Sequence, residues 1–175
     1  MKTTSPLKKI IPLGVMIMAI ITIPLFLSFK KQSGTEAPEW VIVIHGGAGN
    51  MNPSNLDTTD QKVYSQELTA ALLKGREVIE SGGTALDVVT TVIAFLEDCP
   101  LFNAGRGAVF TAEGTNELDA SIMDGRSGNA GAVAGVTTIK NPIMAARLVM
   151  EKSPHVMLAG RGAEEYADLN RLDIV

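Results

Sequence analysis

Cysteine, histidine and runs of positive charge are scarce in this chain of 175 residues. Cys99 is the only cysteine, which excludes an intrachain disulfide and any metal site built from several thiolates. His45 and His155 are the only histidines, and no serine lies in a nucleophile-elbow sequence, so a Ser-His-Asp triad has no support. Lysine and arginine number 15 against 19 aspartates and glutamates, and they form no run beyond the N-terminus. Nucleic acid is therefore not an expected partner.

Apolar residues are plentiful, at 46% of the chain, but one segment inflates that figure. Residues 10–29 carry no charge, and at roughly 1.5 Å per residue a helix of this length crosses a hydrocarbon core. Residues 1–29 are therefore predicted to be a signal peptide or an uncleaved membrane anchor, and the sequence leaves both open. More lysines precede the segment than follow it, which favours an exported body, periplasmic or extracellular and tethered to the membrane if the segment is uncleaved.

The rest of the chain is predicted to be a polar linker, residues 30–39, followed by one folded α+β domain, residues 40–175. Apolar periodicity and turn residues predict two helices early in this domain, then strands, then two more helices. The predicted helices are Gln61–Ser81, a Thr84-capped helix through Phe95, Pro142 to about Lys152, and Gly162–Leu169. The predicted strands are a buried Trp40–Ile44, a hairpin of Ala108–Thr111 with Leu118–Met123, and Gly131–Ile139.

A glycine-rich loop, His45-Gly-Gly-Ala-Gly-Asn50, follows the first predicted strand. Three glycines in four residues let backbone N–H groups turn toward one point, which suits an anion or an oxyanion. A tight strand exit is the plainer interpretation. A phosphate loop, as in an amino-acid kinase, is the third, although the loop lacks the Lys-Ser/Thr of a P-loop.

Two carboxylates, Asp119 and Asp124, invite a general acid/base interpretation. In a strand their odd spacing puts them on opposite faces, so a working pair is not expected. Asp119 is instead predicted to be a buried hydrogen-bonding residue and Asp124 a turn residue.

Five blocks in this order resemble the plant-type L-asparaginase/isoaspartyl peptidase family: VIVIHGGAGN, GGTALDVV, LEDCPLFNAGRGAVFT, ELDASIMDG and GAVAGVTTIKNPIMAARLVMEKSPHVML. They cover nearly the whole domain. The segment CPLFNAGRGAVF favours the isoaspartyl peptidase branch over the related glycosylasparaginases, which carry a different glycine-rich sequence there, and a Taspase-like relative is a more distant option.

The resemblance implies an N-terminal-nucleophile hydrolase with an αββα sandwich, of which this chain supplies the α part. In that family a precursor cleaves itself, and the new N-terminal threonine of a β subunit attacks a side-chain amide or β-aspartyl peptide of a small amino-acid or dipeptide substrate. The Gly-Thr-Val-Gly sequence of that cleavage site does not occur here. The resemblance thus implies a β-subunit partner, an (αβ)₂ assembly and no catalytic nucleophile on this chain, with Gly46, Gly47 and Asn103 as supporting residues.

By the same resemblance, no cofactor is needed for catalysis, and a structural sodium ion is bound by main-chain carbonyls of one loop. The residues are Leu96, Glu97, Cys99, Phe102, Ala104 and Arg106. A hard monovalent cation accepts such neutral oxygens. Asn103, in the same loop, would hydrogen-bond near the threonine amine and steady it. A packed loop without an ion, and an Asn103 that only stabilises a turn, are the alternatives.

We predict that the 175-residue chain, produced alone, has no asparaginase activity, because the nucleophile that drives the reaction lies on the β subunit. The assay is ammonia release from L-asparagine by the purified chain. Release above the uncatalysed background would contradict the prediction. An inert, membrane-tethered remnant that acts only in binding is the alternative that such an assay leaves standing.

Overall fold

The computed structural model describes residues 39–47 and 57–175, and the chain divides into two units, Met1–Val41 and Ile42–Val175. Every helix and strand given below lies in the second unit. The predicted signal or anchor, residues 1–29, and nearly all of the predicted linker lie outside the described residues. Within the described ranges no helix is both long and apolar enough to cross a membrane.

Two consecutive helices, α1 (Thr58–Glu80) and α2 (Ala85–Asp98), open the described fold. The Asp57 carboxylate caps α1 by accepting the N–H groups of the first turn, and Gly82, at φ 89°, lies in the break after it. Thr84 caps α2 through a reciprocal capping box with Asp87. Both predicted helices are confirmed, although α1 begins three residues earlier and α2 ends three residues later than the sequence suggested.

The helices α1 and α2 pack on each other through apolar side chains around Ala71, Val88, Val92, Leu96 and Phe102. Ile42 and Ile44 rest on this cluster, whereas Val43 between them is 85% exposed. The predicted buried strand Trp40–Ile44 is therefore wrong. The alternation of apolar residues is real, but only alternate side chains meet the helices, and the segment pairs with no strand of the described residues.

A three-stranded sheet follows, in the order β1 (Leu118–Met123), β2 (Ala130–Val136) and β3 (Met157–Ala159). The first pair is antiparallel and the second parallel. The predicted hairpin of Ala108–Thr111 with Leu118–Met123 is wrong, because residues 108–111 form a loop and β1 pairs with β2 instead. The predicted strand Gly131–Ile139 is shortened to β2, and β3 was not anticipated.

Helices α3 (Pro142–Lys152) and α4 (Gly160–Leu169) pack against one face of the sheet. Both helices were predicted, and α4 begins two residues earlier than expected. Their shared core is built from buried Val133, Val136, Ile139, Val149 and the alanines of α4. The connection β2–α3–β3 is a parallel crossover. The described residues combine helices with a small mixed sheet, which is consistent with the predicted α+β class.

The opposite face of the sheet is covered by no helix among the described residues. It carries a row of small side chains along β2, Ala130, Ala132 and Ala134, all half-buried. Met123 and Met157 are the cross-strand partners of Ala130 and Ala132 and are 66% and 55% exposed. This surface, which also carries Asp119 and Ser121 of β1, is here called the open face.

Strand β2 approaches α3 so closely that only glycine fits at Gly131. A Cβ there would overlap the Ala146 carbonyl oxygen and lie 2.5 Å from the Met150 nitrogen. We predict that Gly131→Ala lowers the free energy of unfolding by about 2 kcal/mol, because the added methyl group would force β2 and α3 apart. Denaturant unfolding measures this. Gly162→Ala is the matched control, because a Cβ at that helical position meets nothing and should be neutral or stabilising. Equal effects of the two substitutions would contradict the prediction.

Candidate active-site loop and its buried carboxylate

The loop predicted to bind an ion begins in the last turn of α2 and ends in a short 3-10 turn, Gly105–Gly107. Backbone hydrogen bonds fold it tightly. The Cys99 N–H donates to the Leu96 carbonyl, and the Ala104 N–H donates to the Phe102 carbonyl at 2.8 Å. The Ala104 carbonyl in turn accepts the Gly107 N–H at 3.0 Å. The predicted ligand residues thus belong to one compact turn of backbone, here called the ion loop (residues 96–107).

Two glycines let the ion loop close on itself. A Cβ on Gly105, whose φ is +50°, would overlap the Glu97 carbonyl oxygen, and one on Gly107 would overlap the Phe102 carbonyl oxygen. The Pro100 carbonyl oxygen would lie 2.8 Å from that second Cβ. Carbonyl oxygens from several parts of the loop therefore crowd toward the same two glycines.

The donor set fits a hard monovalent cation. A carbonyl oxygen has two lone pairs, so the Leu96, Phe102 and Ala104 carbonyls can each accept an N–H and still offer an oxygen. No group of three or more His, Cys, Asp or Glu side chains in the described ranges could hold a metal ion. An ion here would depend on backbone oxygens, so the exposed side chain of Arg106 is no obstacle.

Asn103 lies at the surface of the ion loop and ties it to the segment that follows. Its Oδ1 accepts the Val109 N–H at 2.9 Å, which leaves the Nδ2 donor group for another partner. Asn116 reinforces the same turn, because its Nδ2 donates to the Ala108 and Val109 carbonyls at 2.8 and 3.0 Å. The predicted hairpin would put Asn116 in the connection between its two strands, and this bracing role was not anticipated. The catalytic support predicted for Asn103 stays a prediction.

The glycine-rich segment that follows Ile44 meets the ion loop. A Cβ on Gly46 would be 3.1 Å from Leu68 of α1 and 3.5 Å from the Phe102 ring, so the segment is packed between them. Gly47 has φ +121°, and its N–H donates to His45 Nδ1 at 3.2 Å. The structure therefore brings Gly46 beside the loop that carries Asn103, while residues 48–50 of the motif lie outside the described residues.

Glu97 is the feature of this region that sequence reasoning missed, since it was predicted only to offer its carbonyl. Its side chain is 3% exposed, and Oε1 accepts the Ile143 N–H at 3.0 Å in the first turn of α3. Its other oxygen, Oε2, is buried with no hydrogen-bond partner. Burial raises the pKa of this carboxyl to about 7, and the Ile143 N–H only partly opposes the rise.

A cavity of about 530 Å³ lies beside the ion loop. One wall is formed by the loop from Gly105 to Ala108 and by the end of α2. The other wall is formed by Thr137, Ile139 and Lys140. Lys140 Nζ lies 3.7 Å from Asp98 Oδ1, at the end of α2. Arg106 also lines the cavity, and it forms no ion pair within the described ranges.

The two aspartates considered as an acid/base pair have separate partners. Asp119 Oδ1 accepts the Gly135 N–H at 2.8 Å across the sheet, as a hydrogen-bonding residue should, but Asp119 is exposed rather than buried. The reason is that β1 is an edge strand whose odd positions face away from the helices. Asp124 accepts the Ser127 hydroxyl at 2.7 Å and the Arg126 N–H at 3.0 Å, which confirms it as a turn residue.

Comparison with known proteins identifies the class that this fold and loop define. A family model described as asparaginase matches residues 38–175, and the chain belongs to that family. It is 54% identical over 127 residues to an isoaspartyl peptidase of Escherichia coli, covering 73% of this chain and 40% of that protein. It is 46% identical over 128 residues to a plant-type L-asparaginase of Pyrococcus furiosus, covering 73% of this chain and 40% of that protein.

A eukaryotic relative gives the same match. A putative isoaspartyl peptidase/L-asparaginase of Dictyostelium discoideum is 50% identical over 135 residues, covering 77% of this chain and 39% of that protein. The chain therefore spans about two fifths of the length of the curated relatives it matches. The resemblance stated from the five blocks is confirmed at the level of the family, whose members are hydrolases.

We predict a pH dependence of stability that Glu97→Gln abolishes. The folded pKa of Glu97, about 7, lies above its ordinary value of 4.5, so the folded state binds this proton more tightly than the unfolded state. The resulting stabilisation is complete below pH 4.5 and is lost as the pH rises through about 7. Relative to the variant, the free energy of unfolding of the native protein should fall by about 3 kcal/mol across that window.

Urea unfolding of the complete protein at several pH values, in a sodium-free buffer, checks this prediction. Glu165→Gln is the control, because that exposed carboxylate should leave the pH profile unchanged. Parallel pH profiles for the native protein and Glu97→Gln would contradict the assignment of the titration to Glu97.

Proposed function

We propose that this chain is the N-terminal part of an N-terminal-nucleophile hydrolase that cleaves β-aspartyl (isoaspartyl) peptides and L-asparagine. The observation that carries the proposal is the 54% identity over 127 residues to a protein named isoaspartyl peptidase. The relatives named isoaspartyl peptidase/L-asparaginase in plants, animals and a slime mould support both substrates.

The remaining part of the protein, a β subunit, would supply the threonine nucleophile. Its hydroxyl attacks the side-chain carbonyl of the aspartyl substrate, and its own α-amine accepts the proton. The bond from that carbonyl to nitrogen then breaks, the protonated amine or ammonia leaves, and an acyl-enzyme ester remains. Water hydrolyses the ester, which releases aspartate and restores the hydroxyl.

The open face of the sheet supports the αββα sandwich expected of such a hydrolase. Sheets that pack face to face bury small and apolar side chains, and the open face offers the Ala130, Ala132 and Ala134 row flanked by Met123 and Met157. Helices α3 and α4 occupy the other face. The described residues would then form one helix layer and part of one sheet, and the β subunit would contribute to the facing sheet within an (αβ)₂ assembly.

In this proposal the ion loop holds a structural sodium ion through the carbonyls of Leu96, Glu97, Cys99, Phe102, Ala104 and Arg106. When bound, the ion would add rigidity rather than reaction chemistry, and no cofactor takes part in the reaction. The role of this chain is positional. Gly46 and Gly47 bring the first segment against the ion loop, and Asn103 presents Nδ2 beside the threonine amine. The body would be exported and, if residues 10–29 are uncleaved, tethered to the membrane.

We predict that Asn103→Asp separates the catalytic from the structural role of this residue in the complete, processed protein. Aspartate keeps an oxygen to accept the Val109 N–H but replaces the Nδ2 donor, so the loop should stay folded while the nucleophile loses its hydrogen bond. We expect kcat to fall about 100-fold, since small misplacements of reacting groups cost that much, with little change in melting temperature. Release of aspartate from a β-aspartyl dipeptide and of ammonia from asparagine measures the rate.

Asn116→Ala is the control, because it removes donors to the Ala108 and Val109 carbonyls in the same turn and should lower stability more than kcat. Full activity of Asn103→Asp would contradict a catalytic role for Asn103 and leave it only the role of stabilising the turn. Absence of both hydrolytic activities from the complete native protein would overturn the proposed function itself.

A further inference from the structure

Glu97 is the one charged side chain that is fully buried among the described residues. It belongs to a set of contacts that joins the last turn of α2 to the first turn of α3. The Asn141 side chain donates to Asp98 Oδ1 at 3.2 Å and to the Ala94 carbonyl at 3.4 Å, and Glu97 Oε1 accepts the Ile143 N–H at 3.0 Å. Of these contacts only the last is buried.

Glu97 caps a helix to which it does not belong. Asn141 holds the N-cap position of α3 but makes no capping hydrogen bond with its side chain, and Pro142 after it has no N–H to donate. The Ile143 N–H is then satisfied by Glu97, 46 residues earlier in the sequence. A carboxylate at this place also meets the positive end of the α3 dipole, which favours negative charge.

The same residue contributes the carbonyl that crowds Gly105 in the ion loop. Because the carbonyl oxygen and Cβ of Glu97 both lie against the Gly105 position, a shift of Glu97 would move the wall of the loop. Its anchoring to α3 therefore fixes the entry to the loop. The second carboxylate oxygen, Oε2, remains buried without a partner.

A cation held by neutral carbonyls brings a charge into a partly buried loop, and a buried charge is costly unless it is compensated. The other charged side chains near the loop compensate poorly. Arg106 has the wrong sign, and Asp98 is half exposed and lies near Lys140. Glu97 alone combines negative charge, burial and contact with the loop.

We propose that the Glu97 side chain is the positioning residue of the ion loop: it anchors the loop to α3 and supplies the negative charge that balances a bound sodium ion. This inference rests on the sodium loop of the proposed function and adds a side chain to a site otherwise built from backbone. Partners that orient or balance a metal site typically contribute 10- to 100-fold to its affinity.

The test is sodium-specific stabilisation of the complete protein at one fixed, mildly alkaline pH. Melting temperature is measured while sodium chloride replaces choline chloride at constant ionic strength, and the shift gives an apparent Kd for sodium. Glu97→Gln is the decisive variant, because it keeps an oxygen for the Ile143 N–H and removes the charge. We expect its apparent Kd for sodium to rise roughly 10- to 100-fold.

Asp98→Asn is the matched control, since it removes one negative charge at the neighbouring residue and should leave the sodium response as it is. Equal sodium responses in the native protein and Glu97→Gln would overturn the role of Glu97 alone. A native protein indifferent to sodium would overturn the ion loop and this inference with it, while hydrolytic activity, assayed separately, would still decide the proposed reaction. An equal loss in Asp98→Asn would make the effect one of general charge and would also overturn the inference.

Discussion

The hydrogen bond from the Ile143 N–H to the Glu97 carboxyl joins the two halves of the described fold. On one side lie α1 and α2 with their own apolar cluster, and on the other lie the sheet, α3 and α4 with theirs. A smaller apolar cluster around Ile122, Ile143 and Ala146 spans the junction. The buried hydrogen bond fixes the relative position of these halves. Apolar contacts alone would allow small shifts, whereas a shift that broke this bond would leave a buried polar group unsatisfied.

That junction also explains where the candidate site lies. The ion loop leaves α2 at the residue that is anchored to α3, and the segment containing Gly46 packs on the same loop through Phe102. Three stretches that are distant in sequence therefore meet at the ion loop, part of which lines the cavity. The family assignment gives this region its interpretation, since in the proposed hydrolase a nucleophile from the rest of the protein would be received there.

Local signals explain what could be predicted from the sequence. Helix ends are marked by short-range signals: Thr84 with Asp87, the glycine pair after α1, and Pro142 at the start of α3. The ends of these helices were therefore predicted to within a few residues. Pairing of strands depends on distant partners, so Ala108–Thr111 was mistaken for a strand and three-residue β3 was overlooked. The burial of Glu97 is equally non-local: a glutamate near a helix end is ordinarily solvated, and only the approach of α3 encloses it.

The two glycines of the ion loop determine its backbone conformation. Gly105 and Gly107 contribute no side-chain atom, yet each occupies a position where one more carbon would collide with a carbonyl oxygen. The fold of the loop thus requires the absence of a side chain at these two positions. It does not depend on the exposed side chain of Arg106. A substitution at an exposed position such as Arg106 would change the surface charge of the loop and leave the arrangement of its backbone oxygens in place.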